Sequence, residues 1–353
     1  VGWGLRRGEL LAGDGAASAA MRVSSQALAA FGLGDVAADR ADWPSLPGAA
    51  LRLLARRDWP PAGPAREGFE CLLQRSLLLT SAALTFSPDP LPAMRLAMLG
   101  DLLARRLGRN ADVRALFAAW GLLVFGHPRA AAWMMRRGER LGSSTADPRL
   151  ATFMSGGHCA MRIALGQWAG LGAGIDVAAD RARALRAGRQ EMELRSLGAK
   201  LAFYEGRLDE ALTRFAELSE LSLRRPGEAW RAWGPIGQAE TALCLGRLDD
   251  AALQRLLERS TNVSTAMEDY DAAYTLRRLG LAARLAGRRG DLAAMREAVL
   301  AGCAAAARLV HCGFWAHEGY AGLGDTLLAL RRHEAGQGGA LPPLDAAWAQ
   351  LQR

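Results

Sequence analysis

Lysine is almost missing from this chain of 353 residues: Lys200 is the only lysine among 44 lysine and arginine residues. The arginines are spread among 36 aspartate and glutamate residues, and the formal net charge is +8. No basic run interleaved with aromatic residues accompanies them, as a surface that binds nucleic acid would require. We therefore interpret the arginines as solvated helix surface and expect no nucleic acid partner. A continuous arginine stripe along one face would favour the opposite interpretation.

Cysteine and long apolar runs are also scarce. The five cysteines are scattered and odd in number, which argues against a disulfide framework and favours a reducing, cytoplasmic compartment: Cys71, Cys159, Cys244, Cys303 and Cys312. The longest apolar stretch runs from Ala115 to Gly126, whereas a membrane span needs about 20 residues. We expect no membrane association and no signal peptide. The chain starts at Val1, and we expect it to be part of a longer protein.

Sequence motifs for catalysis or cofactor binding are incomplete. A P-loop places Ser or Thr after its lysine, but Leu201 follows Lys200. The glycines of residues 170–174 lack both the preceding strand and the full dinucleotide pattern. His158 and Cys159 are adjacent, so their side chains diverge by about 100° on a helix.

Four residues near the end of the chain have the types, but not the spacing, of zinc ligands: Cys303, His311, Cys312 and His317. We therefore predict no metal site, no catalytic residue and no cofactor. An enzyme would need a cleft with clustered titratable groups, and the sequence indicates none.

Glycine recurs every 40 residues through the middle of the chain. Four glycines keep this spacing: Gly126, Gly166, Gly206 and Gly246. Gly287 follows 41 residues after the last of them. A fixed period of this length is typical of stacked helical repeats. The abundance of alanine, leucine and arginine favours helix over strand. The sequence thus predicts an all-α fold: an α-solenoid of TPR-like antiparallel helical hairpins with a period of about 40 residues.

Each glycine is interpreted as the turn between helix A and helix B of one repeat. Glycine tolerates the left-handed backbone that ends a helix. Asp209 and Asp249 follow the turns, where we expect each carboxylate to cap the next helix. Stability should then add over neighbouring repeats, so that deletion of residues 207–246 leaves a shortened, folded array. The A-helices are predicted near residues 68–85, 110–125, 150–165, 191–205, 228–245, 266–286 and 314–332.

The domain boundaries follow from proline and glycine. We predict that residues 1–56 form a helical segment that continues upstream repeats, and that the proline-rich residues 57–66 form a connection. The regular repeat array occupies residues 67–333. Within residues 334–353 we predict a second connection from Glu334 to Pro343, followed by a terminal helix that starts at Asp345 and stops short.

Large aromatic and charged residues share the later A-helices. Tryptophan, tyrosine and arginine are enriched at binding hot spots, so we predict one concave partner-binding surface made by Trp230, Arg231, Trp233, Tyr274, Arg277, Trp315 and Glu318. The alternative is that these side chains fill the core between helices.

Three phrases in series resemble a known family: residues 203–212 (FYEGRLDEAL), 238–249 (QAETALCLGRLD) and 317–323 (HEGYAGL). They are similar to the C-terminal TPR-like region of bacterial signalling proteins that carry an adenylate/guanylate cyclase domain followed by an AAA-type ATPase. The likeness covers residues 67–335, and residues 1–56 resemble the preceding helical linker. The metal-binding aspartates and nucleotide loop of that family lie upstream, so no catalytic residue carries over.

The resemblance implies a non-catalytic interaction or regulatory region of a cytoplasmic multidomain signalling protein. Its partner would be a protein or peptide segment, or the ATPase and cyclase modules of the same polypeptide. The alternative is a small-ligand sensor of an ATPase-linked transcriptional activator, which a closed aromatic pocket would favour over an open groove.

Overall fold

The computed structural model describes residues 111–124, 126–141, 148–224, 232–264, 272–308, 313–336 and 342–351, together with residues 7, 22, 23 and 26. These ranges are helical apart from short turns, and they contain no strand. The predictions for residues 57–66 and for an A-helix near 68–85 lie outside the described residues. The chain divides into two compact units: Val1–Gly166 with Asp180–Gln190, and Gln167–Ala179 with Glu191–Arg353.

Three described helices belong to unit 1: α1 (Ala111–Val124), α2 (Pro128–Leu141) and α3 (Pro148–Ala164). Helices α1 and α2 form a hairpin around Gly126, and α3 packs on α1. A Cβ atom added at Gly157 of α3 would lie 2.6 Å from Leu116 Cδ2, so a small residue is needed at this contact. Leu116, Ala131 and Met135 are buried in the core of the unit.

The remaining helices alternate between A and B positions. They are α4 (Leu171–Ala184), α5 (Gly188–Tyr204), α6 (Leu208–Leu223), α7 (Trp233–Leu245), α8 (Asp250–Ser264), α9 (Ala272–Arg289), α10 (Leu292–Arg308), α11 (His317–Gly336) and α12 (Pro342–Leu351), with a 3-10 turn at Gly313–Ala316. In unit 2 the A-helices α7, α9 and α11 pack side by side, and the B-helix α10 packs on α12. The fold is the α-solenoid of TPR-like hairpins that the period predicts.

The period also places the turns correctly. Helices end within two residues of all four glycines, and each glycine has a positive φ: Gly126 (76°), Gly166 (71°), Gly206 (75°) and Gly246 (65°). After Gly206 the amide of Arg207 donates to Ala202 O at 2.9 Å, and after Gly246 the amide of Arg247 donates to Ala242 O at 3.3 Å. Both bonds satisfy carbonyls that the helix end would leave without a partner.

Three details of the repeat prediction are wrong. Gly287 lies inside α9, and the left-handed turn is at Gly290 (φ 68°), where the Asp291 amide closes the helix on Ala286 O at 3.0 Å. Asp209 does not cap α6, because its carboxylate instead contacts Arg247 of the next repeat. The C-terminal connection is shorter than expected, since α11 continues to Gly336 and α12 begins at Pro342.

Asp249 behaves as the sequence predicts. Its Oδ1 accepts a hydrogen bond from the Ala252 amide at 2.6 Å, and Asp291 Oδ1 accepts one from the Ala294 amide at 3.0 Å. Each carboxylate thus satisfies one of the free amides at the start of a B-helix.

Ion pairs in unit 2 recur at a sequence separation of about one repeat. Arginines on one helix contact carboxylates 37 to 41 residues away: Arg214–Asp176, Arg247–Asp209, Arg277–Glu240, Arg284–Asp325 and Arg296–Glu334. Three of these pairs are exposed, those of Arg214, Arg247 and Arg284, and an exposed pair contributes about 1 kcal/mol or less. Arginine–carboxylate pairing is therefore the polar chemistry that joins neighbouring repeats.

Candidate functional site on the A-helices

The structure brings together most of the described residues that the sequence predicts at the binding surface. Trp233, Tyr274 and Arg277 are buried, and the side chain of Glu318 is 9% exposed. Trp315 is half-buried. The predictions for Trp230 and Arg231 lie outside the described residues. The partner-binding role of all seven residues stays a prediction.

Four charged residues from four successive A-helices form one buried cluster, here called the charge ring. The signs alternate along the chain: Lys200 of α5, Glu240 of α7, Arg277 of α9 and Glu318 of α11. Three of the four have at most 7% of their surface exposed. The cluster contains two basic and two acidic side chains, and pairing between opposite charges offsets the cost of burying them.

Three contacts link the four residues in the order Lys200, Glu318, Arg277 and Glu240. Lys200 Nζ donates to Glu318 Oε2 at 2.9 Å, and these residues are 118 positions apart. Arg277 Nε donates to Glu240 Oε1 at 2.9 Å, and its Nη2 contacts the other oxygen of the same carboxylate. Arg277 Nε also lies 3.7 Å from Glu318 Oε2. Glu318 therefore lies between two cations.

Aromatic rings surround the ammonium group of Lys200. Its Nζ lies 5.3 Å from the centre of the Trp315 ring and 5.5 Å from that of Tyr204, within the range of cation–π attraction. The same Nζ donates to Trp315 O at 3.2 Å and to Tyr204 Oη at 3.3 Å. Trp233 stacks on Trp315 at 5.6 Å, and Trp168 stacks on Tyr204 at 5.8 Å. The ammonium thus replaces its water shell with a carboxylate, two oxygens and two ring faces.

The protonation behaviour of the ring follows from burial and charge. Burial lowers the pKa of Lys200 to about 8, although Glu318 acts in the opposite direction. Burial alone would raise the pKa of Glu318, but Lys200 and Arg277 outweigh it and hold that pKa at about 2. Burial disfavours the charged form of Arg277, yet Glu240 raises its pKa above the ordinary value. Lys200, Arg277 and Glu318 are therefore charged near pH 7.

Close backbone contact between α9 and α11 positions two members of the ring. A Cβ added at Gly280 would lie 2.5 Å from Gly319 O, and one added at Gly319 would lie 2.5 Å from Leu276 C and 2.6 Å from Arg277 N. Only glycine allows the two helices to approach this closely. The contact holds Arg277 next to Glu318, which directly precedes Gly319.

Sequence reasoning missed Lys200, Glu240, Tyr204 and Trp168. The repeat contained a signal for the first two, because Lys200 lies six residues before Gly206 and Glu240 lies six residues before Gly246. The lone lysine of an arginine-rich chain was a further signal. A compact ammonium fits between two aromatic rings and a carboxylate, whereas the planar guanidinium of arginine has a different shape.

Two kinds of reactive group can be checked among the described residues. Within the described residues, no three His, Cys, Asp or Glu side chains form a group that could hold a metal ion. Burial raises the pKa of Cys159 and of Cys303 to about 11, opposite to the change that activates a nucleophilic thiol. The described helices also include none long and apolar enough to span a bilayer.

Comparison with known proteins gives a likeness of fold. No family model matches the chain, and no curated protein matches it. Among solved structures, the chain is similar to the crystal structure of the apo form of RapI, with a TM-score of 0.51 and 9% sequence identity. The match covers 99% of this chain and 95% of RapI. At this identity the likeness supports the all-helical repeat fold alone.

Proposed function

We propose that this chain is a non-catalytic helical-repeat region of a cytoplasmic signalling protein of the cyclase–ATPase type. It would bind a protein segment, or pack on the catalytic modules of the same polypeptide. The observation that supports this is the convergence of four successive A-helices on one polar and aromatic cluster. The sequence phrases that resemble the cyclase–ATPase proteins begin in three of these helices, α5, α7 and α11.

Within this proposal, the residues of the cluster divide by their exposure. Lys200, Arg277 and Glu318 are almost fully enclosed, so they position the A-helices. Trp168 and Trp315 are half-buried and retain surface that a partner segment can cover. Partly exposed tryptophan on a rigid support is the kind of side chain that contributes most to binding energy.

The test begins with the genomic reading frame on both sides of the chain. The proposal expects cyclase and ATPase modules to be encoded upstream. These modules are expressed separately, and their association with this chain is measured by titration calorimetry. Trp315→Ala should raise Kd by about 30-fold, which corresponds to about 2 kcal/mol.

Leu328→Ala is the matched control, because this side chain of α11 is 37% exposed and is not part of the cluster. It should leave Kd within about twofold. Melting temperatures of both variants separate loss of folding from loss of binding. Equal Kd values for Trp315→Ala and the parent chain, or turnover of ATP or GTP by the purified chain, would contradict the proposal.

A second candidate is the small-ligand sensor, which one observation favours. Aromatic rings enclose a buried ammonium group in unit 2, so the geometry that recognises a small cation already exists there. A sensor of this kind should show a higher melting temperature with a primary amine or guanidine ligand. The protein-binding proposal expects no such rise.

A further inference from the structure

Helix α2 of unit 1 carries an exposed basic face that lies outside the A-helix cluster. Five residues at positions i, i+4, i+7, i+8 and i+11 share this face, here called the α2 stripe: Arg129, Trp133, Arg136, Arg137 and Arg140. All five side chains are exposed. Ala131 and Met135, on the opposite face, are buried, and they hold the helix on unit 1.

Trp133 is an unusual residue for a free surface. It is 49% exposed, and it is the only Trp, Tyr or Phe classed as exposed among those whose side chains the structure describes. The guanidinium of Arg137 lies over its ring, 5.7 Å from the centre. Tryptophan and arginine side by side are the residue types most enriched where partners bind tightly.

The arginines of the α2 stripe have no carboxylate partner within the part of the chain that the structure describes. Arg140 Nε donates to Arg136 O at 3.2 Å, and Arg137 contacts Trp133. Glu139 is the only acidic residue of α2, so the helix has a net charge of +3 from four arginines and one glutamate. The stripe spans eleven residue steps, or roughly 16 Å of helix.

In unit 2, several arginines on helix faces form ion pairs with carboxylates of a neighbouring repeat. Arg214 contacts Asp176 at 2.8 Å and Arg296 contacts Glu334 at 3.1 Å, each on a helix of the neighbouring repeat. The pairing partner is therefore a carboxylate on an adjacent helix. The α2 stripe has the arginines of such a contact, and none of the described helices supplies carboxylates to it.

We propose that the α2 stripe is a docking surface for an acidic helical segment of a partner protein. Carboxylates at matching positions would pair with the arginines, which suit bidentate contacts, and an apolar side chain would cover Trp133. A segment of about twelve residues is long enough to follow the stripe. The inference goes beyond the proposed function, because it concerns unit 1 and does not require the partner to be a cyclase or an ATPase.

Two other anionic partners fit the stripe less well. Proteins that bind single-stranded nucleic acid use a basic groove with several stacking aromatic residues, whereas α2 presents one convex face with one tryptophan. A helix that lies in a membrane surface inserts its apolar face, but the apolar face of α2 is buried in unit 1.

The test uses the whole chain and fluorescence anisotropy at low ionic strength. The probe is a labelled, alanine-based helical peptide with glutamates at i, i+4, i+7 and i+11 and one leucine between them. We expect saturable binding that weakens with added salt. Arg136→Glu with Arg137→Glu should raise Kd at least tenfold, and Trp133→Ala should raise it about tenfold.

Arg255→Glu with Arg259→Glu is the matched control, since these exposed arginines of α8 make the same change in net charge in unit 2. It should leave Kd within about twofold. Circular dichroism checks that each variant is folded.

Three results would overturn the inference: no peptide binding, an equal loss in both double variants, or stronger competition by single-stranded DNA or by phosphatidylserine vesicles. None of these depends on the flanking modules or on Trp315. Failure here is therefore distinguishable from failure of the proposed function.

Discussion

Replacing Gly319 with alanine tests whether close backbone contact holds α9 and α11 in register. The added Cβ would lie 2.5 Å from Leu276 C, 2.6 Å from Leu276 O and 2.6 Å from Arg277 N. These are backbone atoms, so no side-chain rotation can relieve the overlap. The two helices must move apart, and the separation would extend to the neighbouring contact of Arg277 with Glu318.

The magnitude is a balance of two terms. Overpacking in a well-packed core costs about 1–3 kcal/mol. Alanine in place of glycine in a helix gains up to about 1 kcal/mol. We therefore expect Gly319→Ala to lower the free energy of unfolding by about 1–2 kcal/mol, and the melting temperature by roughly 2–8 °C for a unit of this size.

The assay is urea denaturation followed by circular dichroism, with Gly324→Ala as the control. Gly324 lies on the same helix, and a Cβ added there would meet no atom within 4 Å. This variant should gain up to about 1 kcal/mol. If both variants shift stability in the same direction, the close contact between α9 and α11 does not limit the residue at 319.

Three further predictions concern the caps, the turns and acid. Asp249→Ala should cost about 1 kcal/mol of unfolding free energy, because the Ala252 amide loses its cap. Asp209→Ala should cost less, since the Asp209 carboxylate contacts an exposed arginine. If chemical denaturation shows a larger loss for Asp209→Ala than for Asp249→Ala, the cap assignment is wrong. Gly206→Ala should cost roughly 1–2 kcal/mol because φ is 75°, whereas Gly174→Ala, in open space on α4, should be neutral or stabilising by thermal melting. The pKa of Glu318 is about 2 when folded and about 4.5 when unfolded, so its contribution is present above pH 4.5 and is lost as pH falls toward 2. The stability difference between the parent chain and Glu318→Gln should therefore shrink from pH 6 to pH 3, and a constant difference would refute the assignment.

The turns of this fold were largely predictable from sequence because each depends on one local property. A left-handed residue must follow helix A, and glycine supplies it at regular intervals. The failure at Gly287 has a local cause as well. Gly287 and Gly290 lie three residues apart, and Gly290 precedes Asp291, which caps the next helix. The 40-residue period alone predicts the turn at Gly287. The left-handed turn residue is instead Gly290, next to the Asp291 cap.

The candidate site was predictable in its helices and only partly in its residues. Periodicity relates a residue to its neighbours one repeat away, and it identified Arg277 and Glu318 on successive A-helices. The contact of Lys200 with Glu318 joins positions 118 apart, which no nearest-neighbour pattern contains. Lys200 and Glu240 each lie six residues before a turn glycine, and this shared position is the signal in the sequence that both belong to the buried cluster.

The contact between Lys200 and Glu318 has a consequence for how unit 2 folds. An open array with contacts only between neighbours can begin to fold at any repeat and can lose its ends one at a time. The bond between Lys200 and Glu318 instead closes a loop of 118 positions, and the entropy of that closure must be offset by contacts that span it. We therefore expect unit 2 to unfold in one concerted step, with its terminal helices protected from hydrogen exchange as strongly as its centre. The repeat pattern predicts that removal of residues 207–246 leaves a folded array. The same deletion would take Glu240 from the buried cluster and leave Arg277 without that partner, so we expect the shortened array to be less stable than the repeat pattern alone predicts.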